Sequence, residues 1–325
     1  ENIIINLTDI INKLKIPRDI KLGIMINASD LLDQTKSNFN FKGLKKILPL
    51  NSAKKIHFIR VACHHNEVFK LKFFFQYLKK FKIKIFINIM QISEIKREKL
   101  IQICKFLKNK NTSVIYLADS LGALTEKKLK NILNVMRQKW TREIGIHAHD
   151  NLKLALKNTL FAIKNDVSWI DSTLTGMGRG PGNLKTEEIL KFSLAHKKTK
   201  KFNKIVKKFL NLKKIYKWGT NTYYRVAAKN KIHPTYIQKI LNDKRYKKRD
   251  YKKIIKDLGK SRSSQYNPYK LINSAYFISN KPQGTFEPKK LLKDKNILIL
   301  GAGKNLSSNS KKIEKIIKSK RLFVV

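Results

Sequence analysis

Over roughly the first 190 residues, two hydrophobic patterns alternate along the chain. Apolar, β-branched runs fall at 21–27, 55–63, 82–90, 113–120, 143–150 and 169–178. Between them, apolar positions recur every three or four residues over 67–81, 94–108, 125–140, 151–164 and 186–196. The first pattern predicts strands and the second helices. Ser93, Thr125 and Asp150 stand where helix N-caps are expected. Strand-to-strand spacing is about 30 residues, the length of one βα unit. Repeated units of this kind give parallel strands covered by helices, either a doubly wound sheet or a (β/α)8 barrel.

The pattern changes after residue 200. A basic, helical stretch follows to about residue 260, with Trp218, Tyr223, Tyr224 and Tyr236 as apolar anchors. Residues 261–268 read as a polar linker, and Lys281-Pro-Gln-Gly284 marks a further break. The run Asn296-Ile-Leu-Ile-Leu300 then meets Gly301-Ala-Gly303, a helical segment and the apolar end 322–325. That order predicts the start of a second, Rossmann-like α/β domain. Position 306 is Leu, so the third glycine of a dinucleotide-binding fingerprint is missing and NAD is not expected there. The expected organisation is a βα domain over 1–195, a helical extension over 196–285 and an incomplete α/β domain over 290–325.

Composition narrows the function classes. Of 325 residues, 42% are hydrophobic, enough for a large core, and no apolar run reaches the roughly 20 residues of a membrane span. The first residues lack a basic segment and a small-residue cleavage site, so they do not read as a signal peptide. Two cysteines, Cys63 and Cys104, make no disulfide framework and fit the cytoplasm. Lys and Arg number 72 against 22 Asp and Glu, a formal charge of +50. Such a charge suits nucleic-acid binding, but the lysines are spread over every segment, as a general bias on solvated faces would place them. The segment 244–253, with Tyr246 and Tyr251 among basic residues, is where RNA contact would be expected.

The chemistry gathers at the C-terminal ends of the strands. Gly145-Ile-His-Ala-His-Asp-Asn151 puts His147 and His149 two residues apart, which on a strand is one face. Two neutral imidazoles at that spacing suit a divalent transition metal with oxygen ligands completing the shell; the alternative is a pair of polar residues bonded to neighbouring loops. One unit later, Gly176-Met-Gly-Arg-Gly-Pro-Gly-Asn183 lets backbone approach a ligand and ends on an amide side chain. One unit earlier, Asp119 and Ser120 close a strand; before them Asn88 closes another, and Arg60 lies inside an apolar run. A buried arginine is costly unless a carboxylate or an anionic ligand meets it.

In order and spacing these segments resemble the metal-dependent barrels of the pyruvate carboxyltransferase and HMG-CoA lyase-like family, in particular its 4-hydroxy-2-oxovalerate aldolase branch. The resemblance rests on Arg60-Val-Ala, Asn88-Ile-Met, Ala118-Asp-Ser-Leu-Gly122, Gly145–Asn151 and Gly176–Asn183, and more loosely on Trp218–Tyr224 and Ile232–Gln238. It implies a (β/α)8 barrel and a divalent cation, Mn2+ or Mg2+, held by His147 and His149 with Asn183 as an auxiliary ligand. Arg60 and Tyr224 would act in catalysis, Tyr224 (or Tyr223) in proton transfer. Asn88, Asp119, Ser120 and Gly178 would line the site for a pyruvate-type 2-oxo acid. A homo-oligomer and an aldehyde dehydrogenase partner are further implications.

The family's opening Arg-Asp-Gly strand, which supplies a metal-binding aspartate, has no counterpart here. The expectation is a barrel lacking its beginning that binds metal weakly and turns over poorly as it stands. Two other readings accompany the aldolase one: an acyl-CoA condensing enzyme of the isopropylmalate or citramalate synthase type, and a non-catalytic polyanion-binding scaffold.

Overall fold

The computed structural model describes residues 56–192 and 200–273 continuously. It also describes 19–32, 39–40, 43–45, 296–298, 308–319, 322–324 and positions 11, 13, 16, 17, 293 and 300. The chain divides into two compact units, Glu1–Tyr276 and Phe277–Val325.

In the first unit six strands follow one another: β1 (Gly23–Asn27), β2 (Phe58–Cys63), β3 (Lys84–Ile89), β4 (Thr112–Ala118), β5 (Glu143–His147) and β6 (Trp169–Ile170). All pair in parallel in the order 1-2-3-4-5-6. The order never reverses, as it must in a doubly wound sheet. The strands are wound in one direction, as around a barrel, and β1 and β6 are not paired, so the described sheet is an open arc.

Strand parity separates two environments. Ile59, Val61 and Cys63 of β2, Ile85, Ile87 and Ile89 of β3, Ile115 and Leu117 of β4 and Ile144 and Ile146 of β5 share one buried cluster with the helices. Those helices are α1 (Lys72–Leu78), α2 (Arg97–Lys108), α3 (Glu126–Arg137) and α4 (Ala155–Ile163). Helix α2 buries Leu100, Ile103, Cys104 and Leu107, one stripe at helical spacing. The alternate residues Phe58, Phe86, Val114, Tyr116 and Trp169 form a separate cluster on the other face. There the Phe58 and Phe86 rings stack at 4.6 Å and Trp169 meets Phe86 edge-on at 4.9 Å. Above this aromatic floor the same face carries Arg60, Asn88, His147 and Asp171. At the β1 edge Met25, in register with Arg60, is exposed.

Several elements are shorter than the sequence pattern predicts. The strand at 113–120 ends at Ala118, the one at 143–150 ends at His147, and the one at 169–178 keeps two residues. Beyond each, the chain must turn over the strand ends and leaves the ladder. Thr125 caps α3 through Lys128 N, and Asp150 accepts from Ala155 N at the start of α4. Ser93 does not cap: it lies in a 3-10 turn, and α2 begins at Arg97.

A layer of helices follows: α5 (Lys200–Tyr216), α6 (Thr222–Lys229), α7 (Pro234–Asn242), α8 (Tyr251–Lys260) and α9 (Pro268–Ile272). Tyr224, Tyr236, Ile237, Ile240, Ile254 and Leu258 are buried within it. Polar ties between this layer and the strand ends include Gln91 Nε2 to Ser264 O (2.7 Å), Thr220 Oγ1 to Asn151 O (2.6 Å) and Trp218 Nε1 to Thr175 O (3.2 Å). In the basic segment, Tyr246 is buried and Tyr251 packs edge-on against Tyr223. Those aromatics are spent on packing, not presented for base stacking.

In the second unit β7 (Asn296–Leu298) and β8 (Leu322–Val324) pair in parallel, with α10 (Ser310–Ser319) between them in sequence. Residues 281–284, Gly301 and Gly303 lie outside the described residues. No helix among the described residues is long and apolar enough to cross a membrane.

Gly145 shows how closely the inner face is packed. A Cβ there would stand 2.6 Å from three atoms of the Tyr116 ring, and the Arg60 guanidinium lies 3.6 Å from the centre of that ring on the same face. The Gly145→Ala variant is therefore expected to lose about 1–3 kcal/mol of stability through overpacking, read as a lower denaturation midpoint with an unchanged slope.

Candidate functional site

β5 delivers His147 to the inner face, and the chain beyond it stays extended because the glycine-rich loop doubles back against it. Asp150 N donates to Gly182 O (3.0 Å) and Leu184 N to Ala148 O (3.2 Å), which sets His149 opposite Asn183 in an antiparallel bridge. His149 thus lies past the end of the strand, held by the loop and not by the sheet. The two imidazoles nevertheless converge: His147 Nε2 and His149 Nε2 are 3.3 Å apart.

The far side of His147 is fixed by a carboxylate. Asp171, one residue past β6 and on the inward parity of Trp169, lies 2.7 Å from His147 Nδ1 and 2.6 Å from Arg60 NH1. Arg60 NH2 donates to Asn88 Oδ1 at 2.6 Å. Burial pushes the Asp171 carboxyl up, but the hydrogen bond from His147 and the charge of Arg60 outweigh it and hold the carboxyl below its usual range. Asp171 is therefore an anion at neutral pH. It directs the Nδ1 proton toward itself and leaves the Nε2 lone pair facing His149.

His149 is kept neutral. Burial and the neighbouring His147 charge push it down to about 3, against hydrogen bonding to backbone at Ser120 and Asp119. Two imidazole nitrogens, each about 2.1 Å from one cation at angles between square and tetrahedral, stand about 3.0–3.4 Å apart. The observed 3.3 Å fits a shared ion, and a carboxylate on the outer nitrogen is the usual support of a metal-bound histidine. Among the described residues no third His, Cys, Asp or Glu joins the pair as a ligand cluster. Asn183 stands opposite His149 in the backbone bridge. Its Nδ2 donates to Met177 O (3.2 Å) and fills the space that a Cβ on Gly178 would take.

The other expected site residues have structural work. Asp119 is 1% exposed, and its two oxygens accept Ala123 N (3.0 Å) and Leu124 N (3.1 and 3.2 Å). Burial pushes its carboxyl up to about 7 against those amides. This carboxyl group shapes the 119–124 turn. Ser120 Oγ accepts Gln91 N at 3.1 Å, which stabilises Gln91 at a φ of 53°. Arg60 bridges Asn88 and Asp171 through its two terminal nitrogens, while its buried Nε has no hydrogen-bond partner. Tyr224 lies over the glycine loop: its hydroxyl is 3.2 Å from where a Cβ on Gly180 would stand. Burial raises that phenol to about 12, against the opposing charge of Arg179, so it stays protonated at neutral pH.

Asp171 escaped the sequence reading, although it carried a signal: an acid in an apolar strand, on the inward parity, one unit after the histidines. Thr175 carried none. It is buried at a φ of 55°, costly for a β-branched residue. Glu187 accepts its N–H at 2.9 Å, and its carbonyl takes the Trp218 indole. These bonds form only when β6, the following helical turn and the helical layer are assembled.

Comparison with known proteins bears on the family and the fold. The HMGL-like family model matches residues 10–220. The 4-hydroxy-2-oxovalerate aldolase of Bacillus thuringiensis (strain Al Hakam) is 30% identical over 132 residues, 41% of this chain and 39% of that protein. The enzyme of the same name from Geobacillus thermodenitrificans (strain NG80-2) is 30% identical over 150 residues, 46% and 44% of the two chains. The matched segment therefore spans about two fifths of the length of these curated relatives. Among solved structures, the N-terminal domain of a Bacteroides vulgatus protein assigned as an aldolase superposes with a TM-score of 0.61 at 27% identity, over 73% of this chain and 76% of that one. The HMG-CoA lyase of Bacillus subtilis superposes with a TM-score of 0.52 at 16% identity, over 68% and 78%, a likeness of fold. With residues 10–220 of its 325 matched by the family model, the chain belongs to the HMGL-like family.

Proposed function

We propose that this chain carries the cation-binding face of a divalent-metal-dependent aldolase, which makes or breaks a carbon–carbon bond next to the keto group of a pyruvate-type 2-oxo acid. The convergence of His147 Nε2 and His149 Nε2 at 3.3 Å, with Asp171 on the outer nitrogen of His147, carries this reading. The relatives named 4-hydroxy-2-oxovalerate aldolase support the reaction class.

In this reading His147 and His149 hold Mn2+ or Mg2+, and Asn183, opposite His149, supplies an amide oxygen. When bound, the cation supplies Lewis-acid stabilisation of negative charge on the 2-oxo acid. The protein's own residues do the rest. Asp171 fixes the His147 tautomer, and Arg60 keeps Asp171 ionised. Arg60 is thereby a positioning residue and not a group that touches substrate. The protonated phenol of Tyr224, above Gly180, holds the proton exchanged with the hydroxyl formed or consumed at the carbon–carbon bond. Gly178 and Gly180 have no side chains, so Asn183 and Tyr224 can approach the loop backbone.

Mn2+ titration followed by electron paramagnetic resonance tests the centre. Binding is expected in the unmodified chain and lost in both His147→Ala and His149→Ala; retention in both variants overturns the assignment. The Asp171→Asn variant keeps both ligands but presents an amide to His147 Nδ1. It is expected to weaken Mn2+ affinity about 10–100-fold while the circular dichroism spectrum is unchanged.

A further inference from the structure

Between α5 and α6 the chain crosses the glycine loop and meets it with three donors in a row. Trp218 Nε1 donates to Thr175 O (3.2 Å), Gly219 N to Gly180 O (2.9 Å) and Thr220 Oγ1 to Asn151 O (2.6 Å). The acceptors are the residue before the loop, a residue at its middle and the residue two past His149. Consecutive residues reach three separate places because Lys217 and Gly219 both take positive φ, 55° and 124°. The crossing is anchored at each end. Lys217 N donates to Lys213 O of α5 (2.8 Å), and Asn221 Oδ1 caps α6 by accepting Tyr223 N (2.9 Å) and Tyr224 N (3.0 Å).

The Trp218 bond falls on a strained residue. Thr175 has a φ of 55°, which a β-branched residue keeps only where its surroundings impose it. Glu187 holds its N–H, while Trp218, with Lys213 Nζ at 3.5 Å, holds its carbonyl. The next residue, Gly176, accepts Asn183 N at 3.1 Å. That bond closes the loop and sets Asn183 opposite His149. One residue therefore separates the indole contact from the contact that places Asn183. Trp218, Thr175, Gly176 and Asn183 also line one cavity of about 1170 Å3, so the loop has free volume to move into once the indole lets go.

We propose that Trp218 is a positioning residue for the cation centre: by holding Thr175 it places Asn183 against His149, so that cation binding and the indole bond are coupled. The proposal rests on the reading that His147, His149 and Asn183 hold the cation. Such coupling is reciprocal. A cation that binds better when Asn183 is in place also secures the loop, and removing the indole donor weakens the cation by the same factor.

Trp218→Phe keeps an aromatic ring and removes the donor. Trp140→Phe is the matched control. It removes another indole-to-carbonyl bond, Trp140 Nε1 to Glu143 O at 3.0 Å, at the opposite end of β5 from His147. In Mn2+ titrations of the full chain followed by electron paramagnetic resonance, Trp218→Phe is expected to bind about 3–10-fold more weakly, the value of one neutral hydrogen bond. Trp140→Phe is expected to bind as the unmodified chain does. Thr220→Val, which cuts the neighbouring tie, should also weaken binding, and Thr220→Ser should retain it. Amide hydrogen exchange is followed in parallel on the metal-free chain. There Trp218→Phe should speed exchange at Asn183 and Leu184 while the amides of β3 and β4 stay protected. Equal losses of Mn2+ affinity in Trp218→Phe and Trp140→Phe mark a general effect of stability and overturn the proposal. Unchanged exchange at Asn183 overturns it as well. Retained Mn2+ binding in both His147→Ala and His149→Ala sinks the cation reading instead, and the exchange measurement, which needs no metal, still decides whether Trp218 places Asn183.

Discussion

A buried arginine must be answered by a carboxylate, and the inner face of this sheet is organised around that requirement. Arg60 lies in the middle of β2, among isoleucine and phenylalanine strands, where an uncompensated charge costs several kcal/mol. Asp171, four strands away, answers it at 2.6 Å. The pair can form only if β2 and β6 curve toward each other, so the ion pair and the barrel-like curvature of the sheet support one another. Tyr116 carries the guanidinium on its face, and Gly145 leaves the room for Tyr116. The strand that bears the histidine motif is thereby committed to a glycine two residues before His147.

The same ion pair has a chemical consequence. A carboxylate kept ionised by an arginine is a strong acceptor, and its second contact is the outer nitrogen of His147. The charge that stabilises the fold thus also sets the tautomer at the site. Mechanical and electronic roles converge on one side chain because the inner face is narrow: few polar groups fit above the aromatic floor, and each must satisfy more than one neighbour. The loop 176–183 completes the arrangement from outside the sheet. Its three glycines at positive φ let it fold back on residues 148–150 and bring Asn183 opposite His149.

Much of this was legible in the sequence. The alternation of β-branched runs with helical stripes fixes the six strands and their helices, because burial on both faces of a parallel sheet and on one stripe of each helix leaves a periodic signature. The His-x-His pair and the glycine loop are visible because each concentrates unusual residue types within a few positions. The roles of Arg60, Asn88, Asp119 and Ser120 were less legible. Each looks like a substrate contact when read on a single strand, yet in the folded chain Arg60 bridges Asn88 and Asp171, Asp119 takes the amides of the following turn and Ser120 takes the Gln91 amide. Residue type shows that a group needs a partner; it does not show which one.

Local sequence therefore determined the elements and the pair of histidines, since these follow from short-range patterns that need no knowledge of distant chain. Tertiary structure alone decided that Asp171 supports His147, that Asp119 shapes a turn and that Thr175 is held in a left-handed conformation. Each of those outcomes depends on groups brought together from elements tens of residues apart, and electrostatic pairing is set by distance in space.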